Sequence, residues 1–179
     1  MKNLGFFCLL LSLSLCATAQ QATSEPSTNN VFMALASGKL IPLEHQNAVL
    51  HAGGGGFMVA KSKASYEIPG PKSSVRFHAG QPMDFIVRSP LGASGIDPST
   101  FYTLRKLDPT KKEREIVIMS GTFTPFGGSS HTDLSRGSVP LTFSKYGESS
   151  LKISVASLPP GEYALSFVTP QSVYCFGVD

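Results

Sequence analysis

From Val31 onward the dominant signal along the chain is alternation of apolar and polar side chains. Phe101-Tyr102-Thr103-Leu104-Arg105-Lys106-Leu107 largely alternates, and Ser74-Val75-Arg76-Phe77-His78-Ala79 does the same. Val139, Leu141 and Phe143 alternate with Pro140, Thr142 and Ser144, and Leu151, Ile153 and Val155 with Lys152, Ser154 and Ala156. Tyr163, Leu165 and Phe167 are spaced by Ala164 and Ser166. Successive side chains of a strand point to opposite faces, so this pattern predicts strands with one face in a core and the other in water. Phe85-Ile86-Val87 and Ile116-Val117-Ile118-Met119 are apolar throughout and are expected to be covered on both faces.

Turn residues punctuate these runs at short intervals: Ile68-Pro69-Gly70-Pro71, Ala79-Gly80-Gln81-Pro82, Asp108-Pro109-Thr110-Lys111, Tyr146-Gly147-Glu148 and Pro159-Pro160-Gly161. Gly and Pro supply turn dihedrals and sit badly in central strands. Phe101 to Met119 reads as a hairpin around a charged DPTKKE tip. No clean helical period extends beyond two turns. The prediction is an all-β chain, an antiparallel Ig-like β-sandwich of about eight to ten strands over residues 31–179. Two stretches, His51–Gly56 and Gly121–Gly137, are so rich in glycine that they are expected as surface loops rather than strand interiors.

The start of the chain changes the compartment. Lys2 precedes an apolar run, LGFFCLLLSLSL, which leads to Cys16-Ala17-Thr18-Ala19. A basic end, a short apolar stretch and an A-x-A site are the parts of a cleavable secretory leader, expected to end at Ala19. The run is shorter than the roughly 20 residues that span a bilayer, so no transmembrane segment is expected once the leader is removed. Leu13-Ser14-Leu15-Cys16 offers an alternative, a lipid anchor on Cys16, although Leu15 is larger than such a site prefers. Residues 20–30, QQATSEPSTNN, are polar and read as a flexible tether. The expected location is the periplasm or the exterior, or the envelope if the chain is lipid-anchored.

Composition narrows the chemistry. Charged residues make up 15% of the chain and the formal charge is only +3. The one basic knot, Lys111-Lys112-Glu113-Arg114, lacks the stripe of cations and aromatics that nucleic acid demands, so no nucleic-acid partner is expected. Without the leader Cys175 is the sole cysteine, in the strand-like VYCFGV, where a buried, inert thiol is expected. The Gly53–Gly56 run lacks the Lys-Ser/Thr ending and the helix of a phosphate loop. His45, His51, His78 and His131 show no tight ligand spacing, and neither a cofactor nor a metal is expected. Met33, Met58, Met83 and Met119 are widely spaced and read as core packing rather than copper ligands. Ser129, Ser130, His131 and Asp133 contain the residue types of a triad, but triads are made by geometry rather than adjacency. No Gly-x-Ser-x-Gly elbow occurs. His51, Phe123, Phe126, His131 and Asp133 remain as candidate ligand residues, all in the two glycine-rich stretches. For Phe123, Phe126 and Tyr146, size favours packing over exposure.

The chain closes on Leu158-Pro159-Pro160-Gly161-Glu162-Tyr163-Ala164-Leu165 and Tyr174-Cys175-Phe176-Gly177-Val178-Asp179. With the 139–150 stretch, Ile68-Pro69-Gly70 and Gly80-Gln81-Pro82, this resembles a group of bacterial secreted β-domain proteins ending in a PGEYAL…CFGVD pattern. The resemblance implies a shared fold and little more. Pro-Gly-x-Tyr before an alternating strand is also similar to the late strands of Ig-like and transthyretin-like modules. The functional expectation is a non-catalytic binding or structural module at the bacterial envelope, with a protein or carbohydrate partner. The alternatives are an exported hydrolase or metal-dependent enzyme using the 121–137 stretch, and an adhesin or assembly subunit.

Overall fold

The computed structural model describes residues 24–89 and 96–179. The leader, its Ala19 cleavage site and Cys16 lie outside the described residues. Among those described, fifteen strands and a single 3-10 turn at Pro98–Thr100 are present. No helix there is long and apolar enough to cross a membrane. The strand count exceeds the expected eight to ten because several alternating runs are split by turns, and because strands run through much of both glycine-rich stretches.

Two sheets form the sandwich. The smaller has the order β12 (Thr142–Tyr146), β13 (Ser150–Val155), β7 (Met83–Arg88), β1 (Phe32–Ala36), β2 (Lys39–Pro42). The larger runs β3 (Glu44–Asn47), β15 (Ser172–Val178), β14 (Gly161–Phe167), β8 (Tyr102–Pro109), β9 (Glu113–Thr124), β5 (Ala60–Pro69), β4 (Val49–Gly55). β10 (Gly127–Thr132) pairs with β9, β11 (Ser138–Val139) with β8, and β6 (Arg76–Phe77) with β15. The β6–β15 pair is parallel, while the other strand pairs are antiparallel.

The predicted alternation builds the core between the sheets. Leu151, Ile153 and Val155 of β13 and Phe85 and Val87 of β7 face Tyr102, Leu104, Tyr163, Leu165, Tyr174 and Phe176 of the large sheet. The rings of Phe32, Tyr102 and Tyr174 meet edge-on, with centroids 5.5 and 5.1 Å from Phe32. Edge-to-face contact sets the electropositive rim of one ring against the π-face of the next.

The other face of β14 and β15 departs from the expected pattern. Ala164 and Ser166, predicted to face water, are buried. β8 and β9 pair only at Asp108↔Glu115 and Pro109↔Arg114, so the predicted 101–119 hairpin exists at its tip and then splays. β9 turns away and, with β5, covers the back of the sheet. Ile68 and Ile116 pack there against Leu107, Ala164, Val173 and Cys175, forming a second core. β3, from the opposite end of the sheet, lies against β5 and completes the curl. Cys175 is fully buried in this second core, as expected, and burial pushes its thiol up to about 12. Burial of this degree disfavours the thiolate form that nucleophilic attack requires.

A buried ionic cluster closes the seam. Arg114, with no exposed surface, donates to Glu44 (2.7 Å) and to the carbonyls of Gly70 (2.9 Å) and Pro69 (2.8 Å). Glu162 accepts from the Ser73 amide (2.8 Å) and from Arg76, which also holds Asp179. The Arg76 guanidinium lies directly over Gly177, where any Cβ would collide with it. A side chain at 177 would require the Arg76 guanidinium, held there by Glu162 and Asp179, to move aside. The described part of the segment read as a tether contacts the sandwich: the Glu25 carboxylate accepts from Ser149 (amide 3.2 Å, hydroxyl 2.8 Å) and from the Ser150 hydroxyl (2.8 Å).

Candidate functional site

The glycine-rich stretches, expected as loops, form a four-stranded arm that leaves the second core. β4 pairs with β5 from Val49↔Glu67 to Gly55↔Lys61, and β10 pairs with β9 from Gly127↔Thr124 to Thr132↔Met119. The arm begins at a β-bulge, where the β5–β9 register shifts between Ala64 and Ser65. A bulge bends and twists its strand. Every residue of β4 and of β10 is exposed. The sequence misleads here because glycine weakens a strand by about 0.5–1 kcal/mol relative to alanine. A continuous ladder of backbone hydrogen bonds on both sides of β5 and β9 offsets that cost.

All five candidate residues lie on this arm or at its base. His51 sits on β4 with Nε2 3.5 Å from Glu67 Oε2. His131 sits on β10, opposite Ser120 of β9. Asp133 follows β10, its amide bonded to the Ile118 carbonyl (3.0 Å). Its carboxylate accepts from the Ser135 hydroxyl (2.6 Å) and amide (2.9 Å), which hold it below the usual carboxylate range. The expectation that Phe123 and Phe126 are packed divides in two. Phe123 lies so close over Gly128 that a Cβ there would overlap its ring, yet it remains half exposed. Phe126 is fully exposed at the β9–β10 turn. Met58, expected in the core, is also exposed, because it lies in the β4–β5 turn beside fully exposed Phe57 and partly exposed Val59.

Strand register brings the two turns to one end of the arm. Ala60, which opens β5, pairs with Phe123 near the end of β9. The Gly56–Val59 and Pro125–Phe126 connections therefore leave side by side. Behind them, one face of the arm forms an open cleft of about 630 Å³ lined by Lys61, Lys63, Ser120, Thr122, Ser129 and His131. These side chains share a face because Lys61 pairs with Thr122 and Lys63 with Ser120, while Ser129 and His131 stand opposite the same two β9 residues. Lys63 is joined to Glu115 and Arg136 to Asp108 (3.1 Å), whereas Lys61 makes no ion pair among the described residues.

One carboxylate grouping at the arm's base and one buried cation on β8 escaped sequence reasoning. Glu67, Glu113 and Glu115 bring their carboxylates within 4.8 Å of one another, with Lys63 and His51 against two of them. Their spacing in the sequence is unremarkable, and only the Glu67↔Glu115 register pairing joins them. Arg105 is buried on the outer face of β8, with Nε and Nη1 lacking hydrogen-bond partners among the described residues. Burial lowers the affinity of its guanidinium for its proton, and the negative charge of Asp133 acts in the opposite direction.

The geometry defines a class: a two-sheet antiparallel β-protein carrying a four-stranded arm with an apolar tip and a polar cleft. No family model matches the chain, and no curated protein or solved structure matches it either.

Proposed function

We propose that this chain is a non-catalytic binding module of the bacterial periplasm or cell envelope, with the arm as its binding element. The observation that carries this reading is the convergence of Phe57, Met58 and Phe126, all exposed, at one end of a sheet whose adjoining face is a polar cleft. Exposed apolar side chains grouped in this way mark interaction surfaces. The cleft's hydroxyls and Lys61 suit a polar or anionic partner. The Ig-like description of the sandwich belongs to this proposal and is supported by its two antiparallel sheets and the Pro-Gly-x-Tyr lead into β14.

A hydrolytic or metal-dependent reading built on His131 and Asp133 has less support. The Asp133 carboxylate serves Ser135 and thereby the turn after β10, rather than orienting an imidazole. The carboxylates that do converge, at Glu67, Glu113 and Glu115, exclude both residues.

The test is co-sedimentation of purified protein, lacking residues 1–19, with isolated bacterial envelope. The expected result is arm-dependent binding, retained by the sandwich variant Lys152→Ala and lost by Phe57→Ser/Phe126→Ser. Equal binding by the tip variant and the parent, or turnover of ester, glycoside or peptide substrates, would overturn the proposal.

A further inference from the structure

We infer that the arm's tip enters the interface of an anionic lipid bilayer, with Phe57, Met58 and Phe126 as the inserted groups and Lys61 as the headgroup contact. The inference deepens the binding-module reading and rests on it. Three observations point to a lipid surface rather than a folded partner.

The first is shape. The three most exposed large apolar residues among those described, Phe57, Met58 and Phe126, occupy two adjacent hairpin turns at the end of an arm whose outer strands are wholly exposed. A stable protein interface needs about 800 Å² per partner over a broad, complementary patch. Two neighbouring turns bearing Phe57-Met58-Val59 and Pro125-Phe126 form a point, and a point suits a fluid medium that closes around it.

The second is charge. Neither 49–66 nor 116–132 contains an Asp or Glu, whereas the same stretches hold Lys61, Lys63, His51 and His131. The acidic residues begin at Glu67, Glu115 and Asp133, at the base, where Lys63 is committed to Glu115 and Asp133 to Ser135. Lys61 is set behind the tip, pairing in register with Gly55 and Thr122. An apolar tip followed by an uncompensated cation is the order of groups in which acyl chains and anionic headgroups are met.

The third is the arm's own composition. Ser120, Thr122, Ser129 and Ser130 satisfy headgroup-level polarity without fixed negative charge, and the arm's hydrogen bonds are closed between β4, β5, β9 and β10. Apart from its two outer edges, the arm approaches the interface with few unpaired backbone groups, which lowers the cost of leaving water.

The experiment uses protein-free vesicles of phosphatidylcholine alone or mixed with phosphatidylglycerol, with binding read by flotation. The parent is expected to float with the anionic vesicles, less so in high salt. Each of Phe57→Ser and Phe126→Ser should weaken partitioning about tenfold, and the pair about a hundredfold. Lys61→Ala should cost about fivefold on anionic vesicles and nothing on neutral ones. The chain has no tryptophan, so Phe57→Trp supplies a single indole, excited selectively over the five tyrosines, whose spectrum should shift to the blue on binding. These surface variants should melt with the parent, which separates loss of contact from loss of fold.

Absence of flotation on both vesicle types overturns the inference. So does flotation insensitive to the Phe and Lys variants, or a concentration-dependent dimer that buries the tips in solution. Arm-dependent envelope binding without vesicle binding would remove the lipid surface as partner and leave the binding-module reading in place. Loss of both would remove both.

Discussion

Glu44→Ala is expected to lower the unfolding free energy by about 3–5 kcal/mol, because it strands a buried cation. Arg114 has no exposed surface, and Glu44 lies 2.7 Å from its Nη2. Nη1 has no hydrogen-bond partner among the described residues, and Glu162 stands 3.8 Å from it. With Glu44 gone, a guanidinium in the second core keeps only that longer contact and two carbonyls. At about 2–4 °C per kcal/mol for a domain of this size, the midpoint should fall by roughly 10 °C. Glu44→Gln retains an acceptor and should cost less.

The same site makes stability depend on acid. Burial raises the Glu44 carboxyl, but hydrogen bonds from Arg114, the Ser74 amide and Ser73 outweigh it and hold it at about 2, against an ordinary 4.5. A depressed folded-state value means that the contribution is fully present above about pH 4.5 and is lost as pH falls toward 2. Urea titrations across that window should show the parent weakening and Glu44→Gln responding less. A Glu44→Ala protein that melts with the parent would contradict the role given to the ion pair.

The second large effect is expected at Phe176, where alanine should cost about 3–5 kcal/mol. Its ring stacks on Tyr163 of the same sheet, with centroids 5.6 Å apart, and meets Phe85 of the opposite sheet at 5.0 Å. It therefore joins the two layers, and its removal opens a cavity that neither layer can close alone. Phe126→Ala, the same chemical change on a fully exposed ring, should alter stability by less than about 0.5 kcal/mol. Urea unfolding of the two variants measures the contrast directly. Equal losses at both positions would mean that the tip is part of the fold rather than an appendage.

The alternating runs made the sandwich legible, since period two is a local property and Leu151, Ile153 and Val155 needed no distant information to be placed in the core. The second core was less legible. Ala164 and Ser166 look solvent-facing in isolation, and their burial depends on β5 and β9 folding over them. The small side chains of Ala164 and Ser166 are the available signal that another layer approaches closely. The arm was misread for a physical reason: glycine's weak strand preference is overridden by pairing with a neighbour, and pairing is invisible along one stretch of chain. His51, Phe123, Phe126, His131 and Asp133 were found because they flank those glycines. Phe57 and Lys61 were not singled out, although the absence of acidic residues from 49–66 and 116–132 can be read from the sequence.

The most direct measurement is amide hydrogen exchange of the protein alone and on isolated bacterial envelope. The expected result is slowed exchange confined to the arm, within 49–63 and 119–132, with the strands of the smaller sheet unchanged. Protection of the smaller sheet with the arm exchanging as in free protein would contradict the assignment of the arm as the binding element.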